Sequence, residues 1–502
     1  MRDRVSTFLF LGIAVFTVMG ELTEIGWFRD TAVASVLLLL ILEFTRIPLI
    51  QKSVGVVLIL GGLITAAYTD DMLGTLYTGI VRALPFLLLF ASVAWLQEPS
   101  SQSPSLLAVR EMVMRQGPGK RFAWVMVVAH FLGVAFNLAG LSLLTPMVSK
   151  GAAARLQKRL SRAMIQGFAA GTCWSPLYVG TAVIIASVPG VNWLEVGPTG
   201  FAIAMAMLVW SWIVDRLFSR PKQPQLVPTP IALDPPDHPM TGLVWFKLAM
   251  ILITLFGCII GLVEGLGWSI PIALAVTAPL YAMIWAFFIG RSGTGSGLLG
   301  TARHVFRGLP GLRGETILFT GANLLGVGVA ALIPDGSAGS VMADWAIPSE
   351  IILLAIMVGY AVASAVGLHP VVTVVLVTTI LTPTVIGVPP ALLALSLMVM
   401  WGQGTNVSPF SATNLYMARV TGQSAWVTAW RWNLPFVVSS TLLLAGTMIV
   451  LLDSGWGQVF WTGVADNDVL LMHHDQSRRK GHAGFQGHHH IGFQHRLILR
   501  RV

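Results

Sequence analysis

Residues Gly402–Thr421 read GQGTNVSPFSATNLYMARVT, inside an apolar run from Ala391 to Ala418 that is long enough to cross a bilayer. The Gly, Gln, Thr, Asn, Ser and Pro in its middle do not belong on a lipid-facing helix. Gly404 and Pro409 loosen the backbone ladder, and freed amides and carbonyls then need protein, ligand or ion partners. A related stretch occurs earlier, where Gly171-Thr172-Cys173-Trp174-Ser175-Pro176 matches Gly404-Thr405-Asn406-Val407-Ser408-Pro409 as G-T-x-x-S-P. Polar interruptions in two corresponding apolar segments are the sequence sign of a secondary transporter's binding region. Taken singly, each small residue also suits close helix packing.

Working outward, the chain has 502 residues, 55% hydrophobic and 11% charged, with a mean hydropathy of +0.77. Soluble domains carry about a quarter charged residues, so this composition predicts an all-α polytopic membrane protein. The net charge of +9 reads as basic cytoplasmic loops. No basic stripe interleaved with aromatics suggests nucleic acid as a partner. Cys173 and Cys258 both fall in apolar segments, which argues against a disulfide scaffold or a cysteine metal site.

The positive-inside rule orders the segments. A first helix lies in 1–30 as an extra element. Crossings at about 31–50, 53–69 and 72–96 lead to a polar loop with Arg110, Arg115, Lys120 and Arg121. Cations also follow segment 122–148, at Lys150, Arg155, Lys158, Arg159 and Arg162, so a single crossing there would put one basic loop outside. Segment 122–148 therefore reads as a re-entrant hairpin with its tip near Asn137 and Ser142. The broken helix 163–190 and a crossing at 197–218 complete a first repeat, 31–218. A Pro-rich cytoplasmic linker, 219–242, separates it from a second repeat, 243–452. That repeat includes a Gly-rich loop 291–315 containing Thr301, a hairpin 350–383 whose tip holds Ser364 and His369, and the broken helix 391–418. The plan is about 11 transmembrane helices in inverted repeats, each with a re-entrant hairpin and a broken helix. The His- and Arg-rich tail, 453–502, reads as disordered.

With hairpins and breaks placed, the chain resembles the ion transporter superfamily, which includes arsenite exporters, sodium/proton antiporters, citrate carriers and divalent anion/sodium symporters. The local match is Gly140-Leu141-Ser142-Leu143-Leu144-Thr145-Pro146-Met147-Val148, similar to the Leu-Thr-Pro run after the first tip in that group. The resemblance implies a homodimer and a bacterial cytoplasmic (inner) membrane location. Two departures stand out. Asn137 is followed by Leu138 rather than by an acid, and neither tip spells Ser-Asn-Thr.

An anion in a dry midplane site needs donors without many buried charges. The candidate substrate-binding residues are Asn137, Ser142, Thr172, Ser175, Ser364, Thr405, Asn406, Ser408, Thr413 and Asn414, with Ser411 beside them. Carbonyls near Gly171 and Gly404 suit sodium, a hard cation, and His369 suits a proton. No cofactor is implied beyond sodium as a coupling ion. Arg82 and Arg431 are candidates for substrate charge, Glu43 and Arg46 read as a helix-face pair, and His130 reads as structural. The sequence thus predicts a secondary active transporter of a small anion, a carboxylate foremost, coupled to sodium or protons. A cation/proton antiporter or oxyanion exporter of the same fold is the alternative, weakened by the lack of Asp or Glu in either tip or break. No acid/base pair or nucleotide loop points to an enzyme.

Overall fold

The computed structural model describes residues 2–148, 153–218, 238–291, 297–333, 347–368 and 370–458. Every regular element among them is helical, and eight helices are long and apolar enough to span a membrane. The chain is an all-α polytopic integral membrane protein, because only helices satisfy this much apolar backbone in lipid.

Helices α1 (Arg2–Thr23), α2 (Gly26–Glu43), α3 (Leu49–Ala67) and α4 (Met72–Val93) follow the first four apolar segments. Beyond them, the expected polar loop is instead helical, as α5 (Gln97–Gln102) and α6 (Pro104–Met114). Pro104 is pre-set for a first helical turn, and Leu106, Val109 and Val113 recur at helical spacing and are buried. Helix α7 (Pro118–Phe136) then meets α8 (Leu138–Ser142) at Asn137, whose φ is +53°. With ψ −137° this is the backbone of the first corner of a type II′ turn, which Asn accepts, and its Oδ1 accepts the Leu138 N–H at 2.9 Å. The chain doubles back closely here, since a Cβ on Gly140 would stand 2.1 Å from the Leu132 carbonyl. The turn at Asn137 has unequal arms: α7 has 19 residues, α8 only 5.

The first broken helix is α9 (Ala154–Ala170), a tight turn Gly171–Cys173, and α10 (Val179–Ser187). Because α9 starts at Ala154, Arg155, Lys158, Arg159 and Arg162 are helical rather than in a loop. Four helices follow: α11 (Trp193–Phe218), α12 (Gly242–Leu266), α13 (Ile270–Arg291) and α14 (Gly297–Gly308). Helix α14 replaces most of the expected Gly-rich loop, burying Thr301 and Val305 one turn apart. After α15 (Arg313–Leu332), the second hairpin is α16 (Ser349–Ala365) and α17 (Pro370–Ile380), turning at Gly367 with φ +104°. A short α18 (Pro383–Ile386) precedes the second broken helix, α19 (Pro390–Val407) and α20 (Ala412–Thr421). A π turn at Val427–Arg431 leads into α21 (Trp432–Asp453). His369, residues 219–237 of the linker and the tail from 459 lie outside the described residues.

Helices from the two halves of the chain interleave in space. Helix α4 packs on α13 and α15, α9 packs on α7 and α19, and α19 also packs on α16 and α21. The α7–α9 contact is backbone to backbone: a Cβ on Gly167 would lie 2.2 Å from the Met126 carbonyl. His130 is fully buried at this contact. Its Nδ1 lies 3.1 Å from the Gly167 carbonyl, and its Nε2 accepts from Trp174 Nε1 at 3.2 Å. Both ring nitrogens are used, as expected for a structural histidine.

The hairpin carries a topological prediction. Cysteines placed at the exposed positions Arg115 and Arg155 are expected to react with an impermeant maleimide from one and the same side, the cytoplasmic one. Labelling from opposite sides would remove the hairpin and the inverted plan built on it.

Candidate functional site

Helix α19 runs unbroken through Gly404, Thr405 and Asn406, and the interruption spans Ser408–Ser411. This corrects the expectation of unpaired amides after Gly404, because residues 404–406 form the last helical turn, where carbonyls are left over. The Gly404 carbonyl accepts the Ser408 N–H at 2.8 Å. The Asn414 side chain covers the rest, with Nδ2 at 3.1 Å from the Thr405 carbonyl, 3.1 Å from that of Asn406 and 3.0 Å from that of Ser408. Ser411 Oγ donates to the Thr405 carbonyl at 2.9 Å and accepts the Asn414 N–H at 3.2 Å, capping α20. One carboxamide thus closes the end of one half-helix from inside the next.

Four polar atoms around this break are buried without a hydrogen-bond partner: Ser364 Oγ, Gln403 Nε2, Asn406 Oδ1 and Asn414 Oδ1. Their neighbourhood is shared. A Cβ on Gly404 would stand 2.6 Å from Ser364 Oγ, Gln403 adjoins Gly404, and the Asn414 amide touches the Asn406 backbone. An unmet buried polar group costs about 1–3 kcal/mol, so four of them around one break are a sizeable cost to the protein alone.

The first break is arranged differently. Thr172 Oγ1 donates to the Ala169 carbonyl at 2.7 Å, Ser175 Oγ to that of Val134 at 3.2 Å, and Tyr178 OH to that of Phe168 at 2.7 Å. The Gly171 carbonyl accepts the N–H groups of Trp174 and Ser175 at 3.3 and 3.0 Å. These groups are satisfied by protein, which makes the first break a joint. That joint abuts the second broken helix, since a Cβ on Gly402 would lie 2.8 Å from both Thr172 Oγ1 and the Ala169 carbonyl.

The two G-T-x-x-S-P glycines have matching surroundings. Gly171 faces Val134, and Gly404 faces Ser364. Each partner sits three positions before the left-handed residue of a hairpin tip, Asn137 or Gly367. Each break is therefore docked by the hairpin of its own half.

Of the remaining candidates, Thr405, Ser408 and Thr413 are buried at the second break, while Asn137 and Ser142 stay on the first tip. Arg82 and Arg431 are both exposed, Arg82 on α4 and Arg431 on the π turn. Sequence reasoning missed Gln403, Gln166, Thr428 and Asn433. Gln166 Nε2 donates to Asn433 Oδ1 at 2.9 Å, Asn433 Nδ2 to the Thr428 carbonyl at 2.8 Å, and Thr428 Oγ1 reaches the Asn414 carbonyl at 3.5 Å. The available signal was amides within apolar segments, where polar side chains are rare and purposeful.

The chain matches no family model and no curated protein. Among solved structures it is similar to the Alcanivorax borkumensis YdaH transporter, whose crystal structure is described as having an unusual topology. The TM-score is 0.52 at 14% identity, covering 82% of this chain and 98% of that one. The likeness is one of fold. Its paired hairpins and broken helices are read below in that light.

Proposed function

We propose that the chain is a secondary active transporter of a small anion, a carboxylate foremost, that binds at the second break together with sodium. The observation that carries this is the set of four unpartnered buried atoms. Ser364 Oγ and Gln403 Nε2 offer donors to an anion, while Asn406 Oδ1 and Asn414 Oδ1 are oxygens suited to a hard cation. The named side chains of the break carry no formal charge. An anion entering alone would be uncompensated in a medium of low dielectric, and a sodium ion entering with it cancels that cost. The oxygens Asn406 Oδ1 and Asn414 Oδ1 favour sodium as the coupling ion, with protons carried by His369, outside the described residues, as the alternative. A cation/proton antiporter of the same fold needs a carboxylate at the break, and the sequence 402–414 has none.

The finer reading follows the sequence: about eleven crossings in inverted repeats, of the ion transporter superfamily kind, forming a homodimer in a bacterial cytoplasmic membrane. The matched docking of Gly171 and Gly404 supports the repeat.

The test is uptake of labelled small carboxylates by proteoliposomes under an imposed sodium gradient. Asn406→Leu deletes one unpartnered oxygen, and a lost hydrogen-bond or ion contact to a charged partner costs roughly 1.5–3 kcal/mol. The sodium concentration for half-maximal uptake is expected to rise about ten- to hundredfold. Thr172→Val, at the satisfied joint, is expected to lower thermal stability with little change in sodium affinity. Sodium-independent uptake by the wild type would sink the coupling proposal, and uptake of no labelled anion would sink the function itself.

A further inference from the structure

The π turn Val427–Arg431 is held by a side chain. The Trp432 N–H reaches the carbonyls three and five positions back, those of Ala429 and Val427. An α-helix would use the carbonyl between them, that of Thr428. Asn433 Nδ2 meets that carbonyl at 2.8 Å. Asn433 is in turn fixed from outside its helix. Its Oδ1 accepts from Gln166 Nε2 of α9 at 2.9 Å, and Gln166 Oε1 accepts from Ser211 of α11. All three side chains are buried. Two neighbouring helices thus impose the wide turn through polar groups, which are scarce at membrane depth.

The turn carries aromatic side chains to the second hairpin. Trp430 Nε1 donates to the Ala365 carbonyl at 3.1 Å. Ala365 ends α16, and a last-turn carbonyl is one that a helix leaves over. Trp430 stands edge-on to Trp426, with ring centroids 4.8 Å apart, and Trp426 to Phe410 at 5.7 Å. Phe410 belongs to the second break, and a Cβ on Gly367 would stand 2.4 Å from its ring. Thr428 Oγ1 adds a long contact of 3.5 Å to the Asn414 carbonyl. The π turn therefore touches both the second break and the end of α16. Ser364, next to Ala365, is the residue that this arrangement keeps against Gly404.

We propose that Trp430 latches the end of α16 onto the second break, and that the π turn sets the latch. With the Asn433 amide withdrawn, the Trp432 N–H takes the Thr428 carbonyl and the turn closes to an α register. Dropping the extra residue swings the preceding segment by about 100° around the helix axis, which carries Trp430 off Ala365. Single π turns inside α-helices recur at functional sites. The latch stands on these contacts alone; that it shields a solute site rests on the transport reading above.

The experiment is hydrogen–deuterium exchange, read by mass spectrometry on the purified full-length protein with no solute added. The reporters are the amides of Gly367 and Leu368, which close the end of α16 on the carbonyls of Ser364 and Ala363 at 3.1 and 2.9 Å. Trp430→Phe keeps an aromatic ring and removes the N–H donor, at a position that is 40% exposed. Exchange at the reporters is expected to quicken about two- to tenfold, the effect of one ordinary hydrogen bond. Asn433→Ala should quicken them similarly, although its side chain bonds to Thr428 and Gln166 rather than to α16. If that variant does not elute as a folded peak, Gln166→Met, which removes the anchor of Asn433, takes its place. The double variant should exchange no faster than the faster single one, since both open one latch. Trp245→Phe, exposed on α12, should leave the reporters unaltered.

Unchanged exchange in Trp430→Phe would overturn the latch. So would a rise spread equally over α3 and α12, which assigns the effect to general loosening. Additive effects in the double variant would also overturn it, because the tryptophan and the π turn would then act independently. Since no solute enters the measurement, the two proposals fail separately. Absence of anion uptake removes the function and keeps the latch, whereas unchanged exchange removes the latch and keeps the function.

Discussion

Asn414→Leu is expected to abolish uptake in proteoliposomes and to lower the melting temperature of the purified protein. Its Nδ2 covers the carbonyls of Thr405, Asn406 and Ser408, at the end of a half-helix buried among protein. An amide has two hydrogens, so leucine forfeits about two hydrogen bonds and leaves buried carbonyls unmet, at about 1–3 kcal/mol each. That sum is a large part of a typical folding free energy. The same substitution deletes Oδ1, one of the four unpartnered atoms. Asn414→Asp separates the two roles: it preserves shape and an oxygen but points acceptor at acceptor along the carbonyls. It too should be inactive, with a smaller loss of apolar packing. Wild-type uptake in either variant, on protein that elutes as a folded peak, would show that the carboxamide neither seals the helix end nor serves the site.

Gly167→Ala should be as damaging, by a different route and without touching the break. The added methyl would lie 2.2 Å from the Met126 carbonyl, and backbone cannot swing aside as a side-chain tip can. Helix α7 must move off α9, which costs about 1–3 kcal/mol for overpacking alone. The displacement also pulls the Gly167 carbonyl from His130, fully buried between α7 and Trp174. The expected result is loss of the monodisperse peak in fluorescence-detected size exclusion. Gly257→Ala is the comparison, since nothing lies within 4 Å of its added Cβ on α12. A normal peak for Gly167→Ala would mean that the α7–α9 contact is looser than described.

The sequence made the reversals legible because both depend on local chemistry. Asn137 and Gly367 are residue types that accept a left-handed backbone, and each sits mid-run in an apolar segment. The second break was legible as a region, with two candidate breakers one turn apart. Gly404 and Pro409 both read as loosening the ladder, and of the two only the proline ends the helix, since a glycine within a helix weakens it without ending it. The pre-proline position Ser408 is what leaves the helical conformation. The helices α5, α6 and α14 were hidden because their charges mark a membrane-side position, which the positive-inside rule reads as loop while saying nothing of fold. The difference between the two breaks was hidden more deeply. Thr172 and Thr405 match in type and spacing, and both donate to a carbonyl one turn back, of Ala169 and Trp401; the unpartnered atoms belong to Ser364, Gln403, Asn406 and Asn414, which the G-T-x-x-S-P pattern does not single out.

The contact between the two broken helices sets a mechanical ratio. Thr172 and Gly402 touch where α9 and α19 cross, and Trp401 lies against Gly180 beside them. A backbone crossing this close permits tilting far more readily than sliding, so it acts as a fulcrum. At 1.5 Å of rise per residue, the arm from Thr172 to Lys158 is roughly 21 Å and that from Gly402 to Asn406 roughly 6 Å. Rocking of one helix against the other about this contact would sweep the Lys158 end of α9 about three to four times as far as a point at the distance of Asn406. Motion about this crossing would be large at the far end of α9 and small beside the second break.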